Sequence, residues 1–140
     1  MQTDANVKIK NNVNEVQAEV ARAILRGLKA IGEKAIDYAK GDCPVDSGRL
    51  RNSITYAVND GTQGGANNKD KAKAEPEDYA MHGTPQENTL VIGTNVVYAP
   101  PQEFNERFVH TTGKAHFLRD AISTHGDEFK KTMEASIKAV

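Results

Sequence analysis

Near neutral pH, nucleophilic or metal chemistry in this chain would fall to Cys43 and the four histidines, His82, His110, His116 and His125. A thiolate nucleophile needs a histidine beside the cysteine and a third group to orient that histidine. A zinc site needs ligands in closely spaced pairs, and Cys43 has no second cysteine while the histidines match no compact zinc spacing. Gly61, Gly64 and Gly65 form no phosphate loop, because the strand before, the helix after and the Gly-Lys-Ser/Thr ending are missing. The simpler reading of Cys43, next to Pro44 at a helix end, is a small buried side chain. The expectation is therefore no catalytic residue, no metal and no cofactor, with a small Cys/His hydrolase kept as an alternative.

Arginine offers a different chemistry, the bidentate recognition of carboxylate or phosphate. The stretch CPVDSGRLRNSI, residues 43–54, sets Arg49 and Arg51 on either side of Leu50. Pro44 ends any preceding helix, and Asp46 or Ser47 can cap a new short turn over residues 48–52. On that turn Leu50 and Ile54 stand four apart and share a buried face, which turns Arg49 and Arg51 outward. Arg22 and Arg26 lie on the second face of an earlier helix, either solvated or against a neighbouring subunit.

That helix is predicted over residues 12–40, where Val13, Val16, Val20, Ile24, Leu28, Ile31, Ala35 and Tyr38 recur every three or four residues. At 1.5 Å per residue it would be about 45 Å long, more than a compact domain of this size needs. Gly27 and Gly32 lower its propensity and either bend it or let another backbone approach. Ile54, Tyr56 and Val58 alternate with polar or small residues, as in a half-buried strand. Leu90 and Ile92 repeat that pattern in a second strand, which continues through 96–98 past a bend at Gly93 until Pro100 and Pro101 stop it. Phe117, Leu118, Ala121, Ile122, Phe129, Met133 and Ile137 predict a C-terminal helical region over 116–138, interrupted near Gly126. The fold class is α+β: a long N-terminal helix and a C-terminal helix packed on a small antiparallel sheet, with a long mobile loop between strands.

Residues 60–88 contain no Val, Ile, Leu or Phe, and carry three basic and six acidic residues. Such a stretch cannot bury enough apolar surface to offset its ordering entropy, and it is too long for a hairpin loop. It is read as an extended arm, with Tyr79 and Met81 placed near its end to dock on a partner. The domain organisation is then a flexible tail over 1–11 and one domain over 12–140 that includes the arm.

The chain has 140 residues, 38% hydrophobic and 6% aromatic, without tryptophan. That makes a thin core, of the kind completed against a partner. A net charge of −1 excludes a generally basic nucleic-acid binder or a polybasic membrane ligand. One cysteine fits a reducing cytoplasm. The first residues, MQTDANVKIKNN, hold no apolar run of signal-peptide or transmembrane type, so a soluble protein with no membrane partner is expected.

The order of long helix, CPVDSGRLRNSI, strand, loop, VIGTNVVYAPPQEF and AHFLRDAI resembles the tailed-bacteriophage neck and tail-completion family, small proteins of the head-to-tail joining region. The first motif there runs Pro, hydrophobic, Asp, Thr, Gly, Arg, Leu, with Ser47 here in the Thr place. The second is matched by Gly93, Thr94, Tyr98, Ala99, Pro100, Glu103 and Phe104, and the third by Phe117, Leu118 and Arg119. Asn105 and Glu106 stand where the family commonly has Gly-Thr, and Asp120 where it often has Pro. The resemblance implies a non-enzymatic virion protein that assembles as a cyclic homo-oligomer, hexameric or dodecameric, between the head portal and the tail tube. Its implied partners are head-closure or adaptor proteins and tail-terminator or tail-tube proteins, and its implied location is the virion neck, after assembly in the host cytoplasm. Candidate contact residues are Arg22, Arg26, Arg49, Arg51, Tyr79, Met81, Tyr98, Glu103, Phe104 and Arg119. For Arg49 and Arg51, transient contact with DNA in the channel stands as the alternative to a subunit contact. A non-viral α+β interaction module is the other alternative.

Overall fold

The computed structural model describes the backbone of residues 2–44, 49–64, 84–96, 99–105 and 113–140. Helix α1 is Gln2–Asp42, 41 residues, or about 60 Å of rod. Its start is corrected from residue 12 to Gln2. Neither glycine nor proline occurs between Gln2 and Gly27, so a helix nucleated on the body propagates through the polar residues without a breaker.

The other end stops where Pro44 requires it, and a distant segment finishes it. The Lys114 N–H donates to the Asp42 carbonyl at 2.8 Å, satisfying one of the last carbonyls of α1. Gly113 makes this approach at φ +82°, where a Cβ would sit 2.5 Å from the Asp42 and Cys43 carbonyl oxygens. Both conditions demand glycine. The Lys114 ammonium then lies 3.2 Å from Asp120 and 3.7 Å from Asp42.

After α1 come α2 (Arg49–Ser53), β1 (Thr55–Val58), β2 (Gln63–Gly64), β3 (Leu90–Gly93), α3 (Ala99–Phe104), α4 (Phe117–Ser123) and α5 (Gly126–Lys138). The strands form an antiparallel sheet in the order β2-β1-β3. Tyr56 lies opposite Ile92 and Val58 opposite Leu90, which pairs the two expected strands in register. The architecture is α+β, with a long N-terminal helix, a C-terminal helix and a small antiparallel sheet. All of β1 is buried, not alternate residues as expected. A strand flanks it on either side, and the small Thr55 and Ala57 leave little surface to expose.

Three further expectations are corrected. The stretch beginning at residue 60 opens as a hairpin: Gly61 N–H donates to the Val58 carbonyl at 3.1 Å, Thr62 N–H to Asp60 Oδ1 at 2.9 Å, and Lys29 meets the same carboxylate at 2.8 Å. Turn residues and solvated residues share a composition, so the sequence does not separate the two. Most of the expected arm lies outside the described residues. β3 ends at Gly93 instead of continuing through Val96, because Thr94 Oγ1 accepts the Val96 N–H at 3.1 Å and lies 2.5 Å from Ser53 Oγ. Pro100 and Pro101 sit in the first turn of α3, where a missing N–H removes no helical bond.

The core joins Leu28, Ile36, Ala39 and Cys43 of α1 to Leu50, Ile54, Tyr56, Val58, Val96, Ala99, Phe117 and Ala121. A second cluster joins Ile31 and Ala35 to Phe129 of α5. Tyr38 stacks on His125 with ring centroids 3.5 Å apart, and its hydroxyl donates to Glu128. Lys34 reaches Thr132 at 3.0 Å, and Ser136 Oγ donates to the Ala23 carbonyl at 2.6 Å. These contacts lay α5 antiparallel along α1. The C-terminal helical region is broken at Thr124 and His125, just ahead of Gly126.

Tyr56 packs against two glycines. A Cβ on Gly32 would meet the base of its ring at 2.7 Å, and one on Gly64 would meet the outer part of the ring at 2.7 Å. The ring cannot yield, so Gly32→Ala is expected to destabilise by about 1–3 kcal/mol, despite the helix propensity that alanine adds. Gly41 has nothing within 4 Å of such a Cβ, so Gly41→Ala should be neutral or stabilising by up to about 1 kcal/mol. Urea melts of the two variants check the opposite signs.

Candidate functional site

The short helix α2 turns the first arginine motif as its spacing requires. Leu50 and Ile54 are buried, Arg51 is exposed and Arg49 is half-buried between them and solvent. The Ser53 hydroxyl donates to the Leu50 carbonyl at 2.7 Å, fixing the end of α2 against the Thr94 turn.

Glu103 lies inside the subunit, at 4% exposure. His116, the residue before α4, adopts φ +59° and offers no side-chain cap. The Glu103 carboxylate takes that place from another helix: Leu118 N–H donates to it at 2.9 Å and Arg119 N–H at 2.8 Å. The Glu103 carbonyl also accepts the His116 N–H at 2.7 Å. A carboxylate there satisfies exposed amides and suits the positive end of the helix. Sequence reading had taken Glu103 as a contact residue. The signal for its capping role was the absence of Ser, Thr, Asp or Asn immediately before Phe117.

This clasp brings Glu103, Phe104 and Arg119 together. Phe104 projects into solvent at 70% exposure, and the exposed Arg119 places Nε 3.2 Å from Asp120. Arg51 belongs to the same end of the molecule, since it and Glu103 both act electrostatically on the Cys43 thiol. Arg22 and Arg26 are exposed on α1 far from this group, about 25–30 Å along the helix from Cys43. Tyr79, Met81 and Tyr98 lie outside the described residues, as do His82 and His110.

Cys43 is fully buried, and its thiol donates to the Pro44 carbonyl at 3.4 Å. Burial pushes the thiol up to about 12, outweighing the favourable charge of Arg51. A thiol buried and held protonated in this way is a packing group and a poor nucleophile. Among the described residues no three His, Cys, Asp or Glu side chains are grouped to hold a metal ion. No described helix is long and apolar enough to cross a membrane.

Ahead of Ala23, the described side chains of α1 pack little against the rest of the subunit. Within residues 14–22 every side chain is exposed except Val20, which is half-buried, and Val16 is 56% exposed. Among the described side chains of α1, Ala23 is the first that is fully buried.

The protein family described as "Bacteriophage HK97-gp10, putative tail-component" matches residues 8–140. The chain belongs to this HK97-gp10-like family. Its members are phage structural components of the tail, and the resemblance carried by the three motifs agrees with that membership. No curated protein and no solved structure matches the chain.

Two outcomes test the geometry of the clasp and the thiol. Glu103→Leu strands two amide donors at the start of α4 and should cost about 1–3 kcal/mol, while Glu103→Gln keeps an acceptor and should cost less. Denaturant melts give both values. Cys43 should resist alkylation at pH 8 in the folded protein and react only on unfolding, which a mass-spectrometric time course reads directly.

Proposed function

We propose that this protein builds part of the neck or tail-completion ring of a tailed phage or prophage, by self-association about a cyclic axis as a hexamer or dodecamer. The observation that carries this reading is the presence of two exposed surfaces on one rigid rod. One is the exposed stretch of α1 over residues 14–22, which ends at Arg22 and is followed by Arg26, and the other is the far end with Arg51, Phe104 and Arg119. A head-to-tail contact needs two different patches on each subunit, and it closes into a ring when the rotation allows. The function is then geometric, with one rim meeting head-closure or adaptor proteins and the other tail-terminator or tail-tube proteins. Virion incorporation follows assembly in the host cytoplasm.

Arg51 serves a subunit boundary better than it serves DNA, because the chain carries no overall positive charge to hold phosphate. The family and the buried thiol both favour a structural role over catalysis. Deleting the gene from its phage should leave filled heads and finished tails unjoined in electron micrographs. The purified protein should show rings by native mass spectrometry or negative stain, either alone or with its neighbours. Arg51→Glu with Arg119→Glu should leave the melting temperature within a few degrees, since both side chains are exposed, yet weaken joining. Joined particles produced at normal yield without the protein would overturn the reading.

A further inference from the structure

Residues 14–22 of α1 form an exposed helix with an apolar row, Val16 and Val20, running beside an acidic row, Glu15 and Glu19. Helix of this length is marginal in water without a packed face. The chain's own α5 cannot supply one. Ser136 is hydrogen-bonded at Ala23 and α5 ends at Lys138, so this helix stops beside the point where the overhang begins.

α5 itself is only half used. Phe129, Met133 and Ser136 face α1, with Met133 and Ser136 closing on Gly27. Away from that face Lys130 and Ile137 on the flank, and Glu134, Lys138 and Lys131 further round, are exposed, Ile137 at 40%. Lys130 and Ile137 are seven apart and share a row, while Lys138 lies on the neighbouring row that runs from Lys130 through Glu134, so that two lysines and one carboxylate border Ile137. Among the described residues the ion pairs draw on Lys29, Lys34, Lys114 and Arg119, and these three α5 lysines are not among them. An apolar row flanked by acid on one helix thus matches an apolar residue flanked by lysine on another.

We propose that residues 14–22 of one subunit lie on the outer face of α5 of the next, with Val16 and Val20 against Ile137 and with Glu15 and Glu19 facing Lys130 and Lys138. The occupant is a second copy of this chain because the complementary charge and the apolar landing point are both present on it. The overhang carries them beyond the reach of its own subunit. Each copy gives one helix and receives one, a heterologous contact that propagates around a ring. The inference rests on the ring reading and specifies one of its interfaces.

Charge exchange tests it in the full-length protein. Glu15→Lys with Glu19→Lys, or Lys130→Glu with Lys138→Glu, should each raise the concentration needed for ring assembly at least about tenfold by placing like charges together. All four substitutions in one chain should bring assembly back to within about threefold of the natural protein. Unchanged melting temperatures would show that the subunit is intact. Mixing Val16→Cys protein with Ile137→Cys protein under mild oxidation should give a disulfide between the two chains, since Cys43 is buried. Rings that assemble normally with either pair reversed, or closed two-chain particles in place of rings, overturn the proposal. In the first case the ring reading survives. Absence of rings from the natural protein, alone and with its neighbours, removes both.

Discussion

The fold depends on one side of one helix. The strands are four, two and four residues long and α2 has five residues, lengths at which neither a sheet nor a helix holds itself together in water. They persist because α1, from Ala23 onward, gives them a common surface to bury against. That surface is lined with small residues where the neighbours press closest: Gly27 under Met133 and Gly32 under Tyr56. A larger side chain at either point would lift α5 or β1 off the rod and expose the two clusters that make up the core. The low aromatic content follows from the same arrangement, since a single helix with a shallow layer around it encloses little volume.

Closure of the layer is polar. Lys114 finishes α1, Glu103 starts α4, and Lys114 returns to Asp120 within α4. These bonds join segments far apart in sequence. They place α3 and α4 so that Ala99, Phe117 and Ala121 complete the core, while Phe104 and Arg119 remain outside. The exposed ion pairs among them contribute little individually. The buried Glu103 carboxylate matters more, because its amide partners would otherwise be left without acceptors.

Much of this was legible from periodicity. The helix stop at Pro44, the outward turn of Arg51 about Leu50, the pairing of the two main strands and the break before α5 all follow from local spacing and turn chemistry. What was not legible depended on distance. Nothing near Glu103 in sequence says that its acceptor will be needed at residue 118, and nothing in residues 59–62 separates a tight hairpin from the polar stretch that follows. The start of α1 was misjudged for another reason. Asparagine-rich sequence has weak helix propensity but no breaker, so it follows whatever helix the body has already nucleated.

Periodicity has a further property that bears on assembly. The apolar row that begins at Val13 passes through Val16 and Val20 into Leu28 and Ile31 without a change of spacing, yet among its described neighbours on α1 full burial starts at Ala23. The hydrophobic effect is proportional to apolar area removed from water and is indifferent to which chain removes it. A continuous row therefore marks where a helix face is suited to be covered, and burial within the folded subunit marks how much of that face the subunit covers itself. The difference between the two, along residues 14–22, is apolar pattern that the subunit leaves uncovered. The row is thus divided at Ala23 into a portion the subunit covers and a portion it leaves exposed, and the exposed portion can change without disturbing the core that positions it.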